Sequence, residues 1–258
     1  MKTAKFKKIA IEAALKAGSY IRKNTGRVRQ VRYKSEINIV TEVDKKAERI
    51  IVGAIGRAFP RHDFLAEEEK YKRKNSDFKW IIDPLDGTTN FLHAFPVFCV
   101  SIALAYQEDI IVGVVYDPTR DELFHAEKGK GAFLNKKRIR VSAVKNIKRA
   151  LLATGFAYNV RRARKKNIRN FIKLLKTAQA VRRAGSAALD MCYVACGRLD
   201  GFWEYYLHAW DTAAALRIVE EAGGKVTKLD EKKFSIYDNE TLASNSKIHS
   251  QMICALSG

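Results

Sequence analysis

Residues 79–95 read KWIIDPLDGTTNFLHAF. An apolar run, Trp80 to Ile82, leads into Asp83, and Asp86 follows three residues later across Pro84. Gly87, Thr88 and Thr89 come directly behind. Pro84 biases Asp83 toward extended backbone, so KWIID is expected as a strand that persists to Asp83 and then turns. Gly87 permits close backbone approach or an unusual dihedral. Thr88 and Thr89 are capable helix N-caps. The stretch therefore sets carboxylates at a strand end against a helix start. Helix starts favour phosphate, and carboxylates with carbonyls suit hard divalent cations such as Mg²⁺. A surface turn uses the same residue types, but it explains Asp-x-x-Asp-Gly-Thr-Thr poorly.

Two carboxylates do not hold two cations, so further ligands are sought elsewhere. Glu67, Glu68 and Glu69 precede the strand by a short loop, and Asp211 stands in AWDTAAA at the start of a helical pattern. The helix dipole favours a carboxylate there. Each also has an ordinary explanation: a solvated acidic turn for 67–69, and a helix-start aspartate for Asp211. Spacing alone does not choose between them.

Further outward, residues 2–24 carry apolar positions (Phe6, Ile9, Ala13, Ala17, Tyr20) at helical spacing with lysines between. This is an amphipathic surface helix rather than a targeting signal. Thr41 with Asp44 three residues on forms an acidic variant of the capping box, opening a second helix that Pro60 closes. A short strand runs into the acidic turn, and VFCVSIALAY, IIVGVVYDP and ELFHAEKGKGAFLN follow as strands of an antiparallel sheet. The pattern then changes to strands alternating with helices: strand LLATGF, helix 163–178, extended VRRAG, a helix from Ser186 to Gly197, strand GFWEYY, a helix ended by Gly223 and Gly224, and closing strands KVTKL and TLASN. The change near 145 divides the chain into an N-terminal α+β half (1–145) and a C-terminal α/β half (146–258).

The chain has 258 residues and 47% hydrophobic content, an ordinary globular composition with no linker-like tract. No stretch reaches the roughly 18 apolar residues of a membrane span. Cys99, Cys192, Cys196 and Cys254 form no framework and read as buried free thiols of a cytoplasmic protein. The formal charge of +20 is unusual, with basic clusters at 22–34, 70–74 and 159–169. It reads either as a solvated surface that attracts anionic small molecules or as a nucleic-acid-binding face. Aromatic residues are sparse in the clusters, so no stacking platform for single strands is evident. His62, His93, His125, His208 and His249 are scattered, and no His or Cys constellation offers a nucleophile.

The chain resembles the inositol monophosphatase family of Mg²⁺-dependent, lithium-sensitive phosphatases. WIIDPLDGTTNF (80–91) is similar to the family's first signature almost letter for letter, and WDTAAALRIVEEAGG (210–224) to its second. VTEVDKKAE (40–48), FLAEEE (64–69), 114–135 and 182–204 also fit, so the resemblance covers nearly the whole chain. Its flavour is that of the bacterial extragenic-suppressor subgroup, some members of which also bind the transcription machinery.

The resemblance implies a layered αβαβα sugar-phosphatase fold and direct in-line attack of a metal-activated water on inositol 1-phosphate. It implies two or three Mg²⁺ per site. Glu67 resembles the ligand that also helps orient the water, and Asp83 the carboxylate that bridges two ions. Leu85 would give its carbonyl to the first ion, and Asp86 and Asp211 would hold the second. Thr88 would hydrogen-bond the water with Asp44 behind it, and the Gly87 and Thr88 N–H groups would hold phosphate. Gly185, Ser186 and Ala187 resemble a substrate-contacting helix start. Glu204 resembles the carboxylate for a sugar hydroxyl, Arg182 or Arg183 would line the same pocket, and Lys34 would approach phosphate. Other substrates of the same chemistry remain open: fructose 1,6-bisphosphate, 3′-phosphoadenosine 5′-phosphate, histidinol phosphate or NADP. So does a regulator that binds RNA or a transcription complex, with phosphatase activity secondary. A homodimer is the family's common state. Three departures stand out, one of them the LHA stretch (207–209) before Trp210, a variable part of the pocket wall. Ala215 replaces a usual glycine, which implies slightly wider helix packing. The loop 70–78 is short and basic where relatives use it to help hold a third ion.

Overall fold

A computed structural model of the chain describes residues 3–27, 31–33, 39–156 and 166–257. Lys34 lies outside the described residues, as do parts of the basic clusters 22–34 and 159–169.

α1 (Thr3–Asn24) buries Ala10, Ala13, Ala14, Ala17 and Ile21, an alanine-rich face that lets it lie close to its neighbours. After the hairpin β1 (Val31–Tyr33) and β2 (Ile39–Thr41), α2 (Glu42–Ala58) begins at the expected cap. Thr41 Oγ1 accepts from the Val43 and Asp44 N–H groups, and Asp44 accepts from the Thr41 N–H at 2.9 Å. A cap of this kind contributes about 1 kcal/mol.

β3 (Asp63–Ala66), β4 (Phe78–Asp86), the short α3 (Thr88–Leu92), β5 (Cys99–Tyr106), β6 (Asp109–Asp117), β7 (Glu122–Glu127), β8 (Ala132–Leu134) and β9 (Lys137–Arg138) follow. The strands form a seven-stranded sheet in chain order, antiparallel except for the β3–β4 pair. β4 does not stop at Asp83. It runs on to Asp86 with a register shift between the two aspartates, because Pro84 has no N–H for the ladder and the strand must bulge there. Nor do the threonines cap α3. Gly87 occupies the cap position at φ +91°, and Thr88 is already helical. A Cβ at residue 87 would also lie 2.8 Å from the Val97 carbonyl oxygen, so only glycine fits.

β10 (Leu151–Thr154), α4 (Lys166–Thr177), β11 (Ala180–Arg182), α5 (Ala187–Ala195), β12 (Gly201–Tyr205), α6 (Ala209–Glu221), β13 (Lys225–Thr227), β14 (Glu240–Ser244) and α7 (His249–Ser257) complete the fold. α7 was not among the expected elements. The second sheet has the order β11-β10-β12-β14-β13.

Five layers result. α1 and α2 cover one face of the larger sheet over Trp80, Ile82, Val100 and Val112. α5 and α6 cover its other face over Ile81, Ala103 and Val115, and the same cluster takes in Phe202 and Ala243 of the smaller sheet. α4 and α7 close the far side over Leu152, Trp203 and Leu242. Despite Ala215, α6 lies directly on β6: a Cβ at Gly113 would run into the Ala214 backbone. Side chains alternate along β4, so Ile82 faces α1 and α2 while Ile81 and Asp83 face the α5–α6 layer. That alternation aims Asp83 at the start of α6. Of the cysteines, Cys99 and Cys192 are buried free thiols, but Cys254 is exposed on α7.

Candidate active site

Strand pairing brings the first two carboxylates together. β3 runs parallel to β4 with Ala66 opposite Ile82, and the Glu67 N–H donates to the Ile82 carbonyl at 3.2 Å. Glu67 therefore sits beside Asp83. The acidic turn is built rather than merely solvated. The Glu48 carboxylate accepts from the Glu68 N–H (2.8 Å), the Glu69 N–H (2.9 Å) and the Tyr71 hydroxyl (3.0 Å). The basic loop is drawn elsewhere: Asp63 accepts from the Lys74 and Ser76 N–H groups, and Lys74 Nζ reaches the Pro60 carbonyl at 2.7 Å.

The second half supplies two helix starts. Ser186 caps α5, and its hydroxyl donates to Asp86 at 2.6 Å, while the Ala188 N–H donates to the same oxygen at 2.9 Å. Asp211, in the first turn of α6, accepts from the His208 N–H at 2.6 Å. Asn90 donates to the Val97 carbonyl at 2.7 Å and, across to the segment before α5, to the Ala184 carbonyl at 2.8 Å. The Thr88 hydroxyl lies 3.0 Å from both Asp44 Oδ1 and the Leu85 carbonyl.

These elements enclose a cavity of about 630 Å³. Glu67, Asp83, Leu85, Asp86, Gly87 and Thr88 line it from one half. Arg183, Gly185, Ser186, Ala187, Glu204 and Asp211 line it from the other. Asp44 lies buried beneath Thr88. Arg182 stands apart: it is exposed on β11, its guanidinium donating to the Val181 carbonyl, and it is not in the wall. No residue of the loop 70–78 lines the cavity either.

Residues 2–258 match the inositol monophosphatase family pattern. The chain belongs to the inositol monophosphatase family. An inositol-1-monophosphatase from Synechocystis sp. is 46% identical over 250 residues, which span 96% of this chain and 87% of that protein. The Nus factor SuhB of Haemophilus influenzae is 43% identical over 248 residues, 95% of this chain and 93% of that one. The solved inositol monophosphatase of Anabaena (Nostoc) matches with a TM-score of 0.91 at 42% identity, covering 100% of this chain and 97% of that one. The chain is thus a phosphatase, of a family that is generally metal-dependent.

The donor set of this inositol monophosphatase family member fits hard divalent cations by its chemistry. Asp83 faces Glu67, Asp86 and Asp211, and burial together with their repulsion pushes its carboxyl well above the usual range. Burial lifts Asp86 to about 6, with the Ser186 and Ala188 hydrogen bonds working against it and Glu67 with it. Such a crowd of buried carboxylates calls for positive charge, and oxygen donors suit Mg²⁺-like ions. Among the described residues no three of these groups converge on one point at ligand spacing. Asp83 accepts from the Leu85 N–H at 2.9 Å, as Asp86 and Asp211 accept from their own donors. Each carboxylate keeps acceptor capacity beyond those bonds.

Several wall residues escaped sequence reasoning: Asn90, Gly155, Phe156, Asp190 and Asn239. Asp190 was the most legible, since it follows Ser186 by four residues on one helix and so shares its face. His208, in the LHA stretch before Trp210, lines the cavity and stacks on Trp210, with ring centroids 4.8 Å apart.

Proposed function

We propose that the chain hydrolyses inositol 1-phosphate and related polyol phosphate monoesters, with Mg²⁺ held by Glu67, Asp83, Asp86, Asp211 and the Leu85 carbonyl. The observation that carries this reading is the convergence of four carboxylates, from both halves of the chain, on one cavity. Bound there, divalent cations neutralise phosphate charge, lower the pKa of a water and stabilise the leaving oxygen. The protein's own groups do the rest. The Thr88 hydroxyl donates to Asp44, which leaves its oxygen free to accept a hydrogen bond from the attacking water. The start of α3 at Gly87 and Thr88 seats the phosphate. Gly185, Ser186, Ala187, Arg183 and Glu204 hold the alcohol part, and Li⁺ inhibits. Asp83→Asn and Asp211→Asn should each abolish Mg²⁺-dependent phosphate release from inositol 1-phosphate with the circular dichroism spectrum intact. Near-normal turnover in either variant overturns the assignment.

A second reading, binding to RNA or a transcription complex, is favoured by the basic charge and by relatives named Nus factor SuhB. Absence of salt-dependent RNA binding near physiological ionic strength removes it. We also assign the chain to the cytoplasm, and to a homodimer through the exposed stripe Ile168, Ile172 and Leu175 on α4. Sedimentation of an Ile172→Lys variant as an unchanged dimer would exclude that face. No helix among the described residues is long and apolar enough to cross a membrane.

A further inference from the structure

Asp190 stands in the first turn of α5, its N–H donating to the Ser186 carbonyl at 3.0 Å. It lines the cavity and is only 2% exposed. Glu204, on β12, lines the same cavity at 8% exposure. Asp83, Asp86 and Asp211 each receive a hydrogen bond from the protein. Among the described residues neither Asp190 nor Glu204 receives one. Arg183 is close enough to attract both electrostatically but forms no ion pair with either among the described residues. Burial, with added repulsion from Asp86 for Asp190 and from Asp190 for Glu204, holds both carboxyls well above the usual range.

Two buried carboxyl groups that find no donor among the described residues are costly unless a ligand supplies one. Both line the cavity in which the proposed function seats the alcohol part of a substrate. Glu204 is also held in place sterically: a Cβ at Gly155 would run into both of its carboxylate oxygens. The Gly155 carbonyl is fixed in turn by the side chain of Asn167. The position of Glu204 is therefore constructed, and Asp190 approaches it from the neighbouring layer.

We propose that Asp190 and Glu204 jointly accept hydrogen bonds from two hydroxyls of the substrate, making Asp190 a second specificity-determining carboxylate that selects polyol esters over aryl and simple alkyl esters. The proposal rests on the phosphatase reading and extends it. A carboxylate pair matches two neighbouring hydroxyl donors, and Arg183 offsets the charge of the pair. An ester without hydroxyls leaves both carboxylates unpaired, which is how a polar site rejects the wrong ligand.

The test compares wild type, Asp190→Asn and Asp190→Ala on inositol 1-phosphate and on p-nitrophenyl phosphate, each with saturating Mg²⁺. The expected result is a fall in kcat/KM for inositol 1-phosphate of about tenfold to a hundredfold, with turnover of p-nitrophenyl phosphate unchanged. Parallel losses on both substrates, or no loss on either, overturn the proposal. Asp190→Asn keeps the side-chain shape and should melt at the same temperature as wild type or higher, so it carries the test if Asp190→Ala does not fold. Binding of free myo-inositol, followed by saturation-transfer NMR, reads the subsite without turnover. Weaker binding in the variants supports the proposal, and equal binding overturns it. A wild-type protein that binds inositol but releases phosphate from neither ester sinks the phosphatase reading instead.

Discussion

The Ser186 hydroxyl donates to the Asp86 carboxylate at 2.6 Å, joining segments 100 residues apart. Through it the cap of α5 orients the carboxylate on β4 that we propose as a cation ligand. It also works against the burial that raises the Asp86 pKa. Ser186→Ala should raise the Mg²⁺ concentration for half-maximal activity about tenfold or more. Without that hydrogen bond Asp86 rises further above about 6, so protons compete with the cation over a wider range. The half-saturating concentration should then climb more steeply than in wild type as pH is lowered toward 6. Ser186→Thr, which keeps the hydroxyl, should restore both. An unchanged Mg²⁺ dependence in Ser186→Ala would mean that the Ala188 N–H alone fixes Asp86.

Thr88 and Asp44 form a separable unit. Removing the hydroxyl in Thr88→Val should lower kcat about a hundredfold or more while KM stays close to wild type, as expected for a group used in the chemical step. Asp44→Asn should cause a loss of similar kind, because its carboxylate orients that hydroxyl. The double variant should lose little beyond either single one, since both changes interrupt the same contact. Multiplicative losses in steady-state kinetics would show that the two residues act independently.

How much of this was legible in the sequence follows from where the information sits. The capping box at Thr41 and the cap at Ser186 are local, and the chain announced both. The bulge at Pro84 was not foreseen, because Asp86 re-enters the ladder only through its pairing with Cys99 on β5. The caps on α3 were misassigned because Gly87 takes a left-handed conformation that its contact with Val97 enforces. α7 was missed because its short apolar pattern becomes a helix only against the second sheet, where Met252 packs with Leu152 and Trp203. Glu67 and Asp211 were ambiguous by spacing. Their place in the site depends on a parallel strand pair and a layer order that no short stretch encodes.

The four-carboxylate cluster should weaken the cation-free protein. Asp83 lies well above its usual range, pushed there by burial and by Glu67, Asp86 and Asp211. A carboxyl raised in the folded state contributes stability that is full below its unfolded pKa and is lost as pH rises through the folded value. At neutral pH without divalent cations, Asp83→Asn should therefore melt a few degrees above wild type. The difference should shrink in acid. With Mg²⁺ the order should reverse, because only wild type gains from binding. A lower melting temperature for the cation-free variant would argue that the carboxylates are already compensated by protein groups.

His249 provides a pH-dependent clasp at the far side of the fold. Its Nε2 lies 2.9 Å from Thr227 Oγ1, and its Nδ1 lies 2.8 Å from Ser244 Oγ, so it links β13, β14 and the start of α7. The Thr227 hydroxyl donates to the Lys228 carbonyl, which leaves its oxygen to accept from Nε2–H and assigns Nδ1 as the acceptor of the neutral ring. Burial, with Lys225 nearby, lowers its pKa to about 4. A helix start also disfavours a cation. Between about pH 4 and 6.5 the unfolded chain binds the proton and the folded chain does not, so stability falls as pH is lowered through that window. The full effect is a few kcal/mol in order of magnitude. His249→Gln, which cannot take up a proton, should be less stable than wild type at pH 7 but should lose much less stability between pH 6.5 and 4.5. Denaturant melts at the two pH values measure this directly. Equal losses for both proteins would assign the acid sensitivity to other groups.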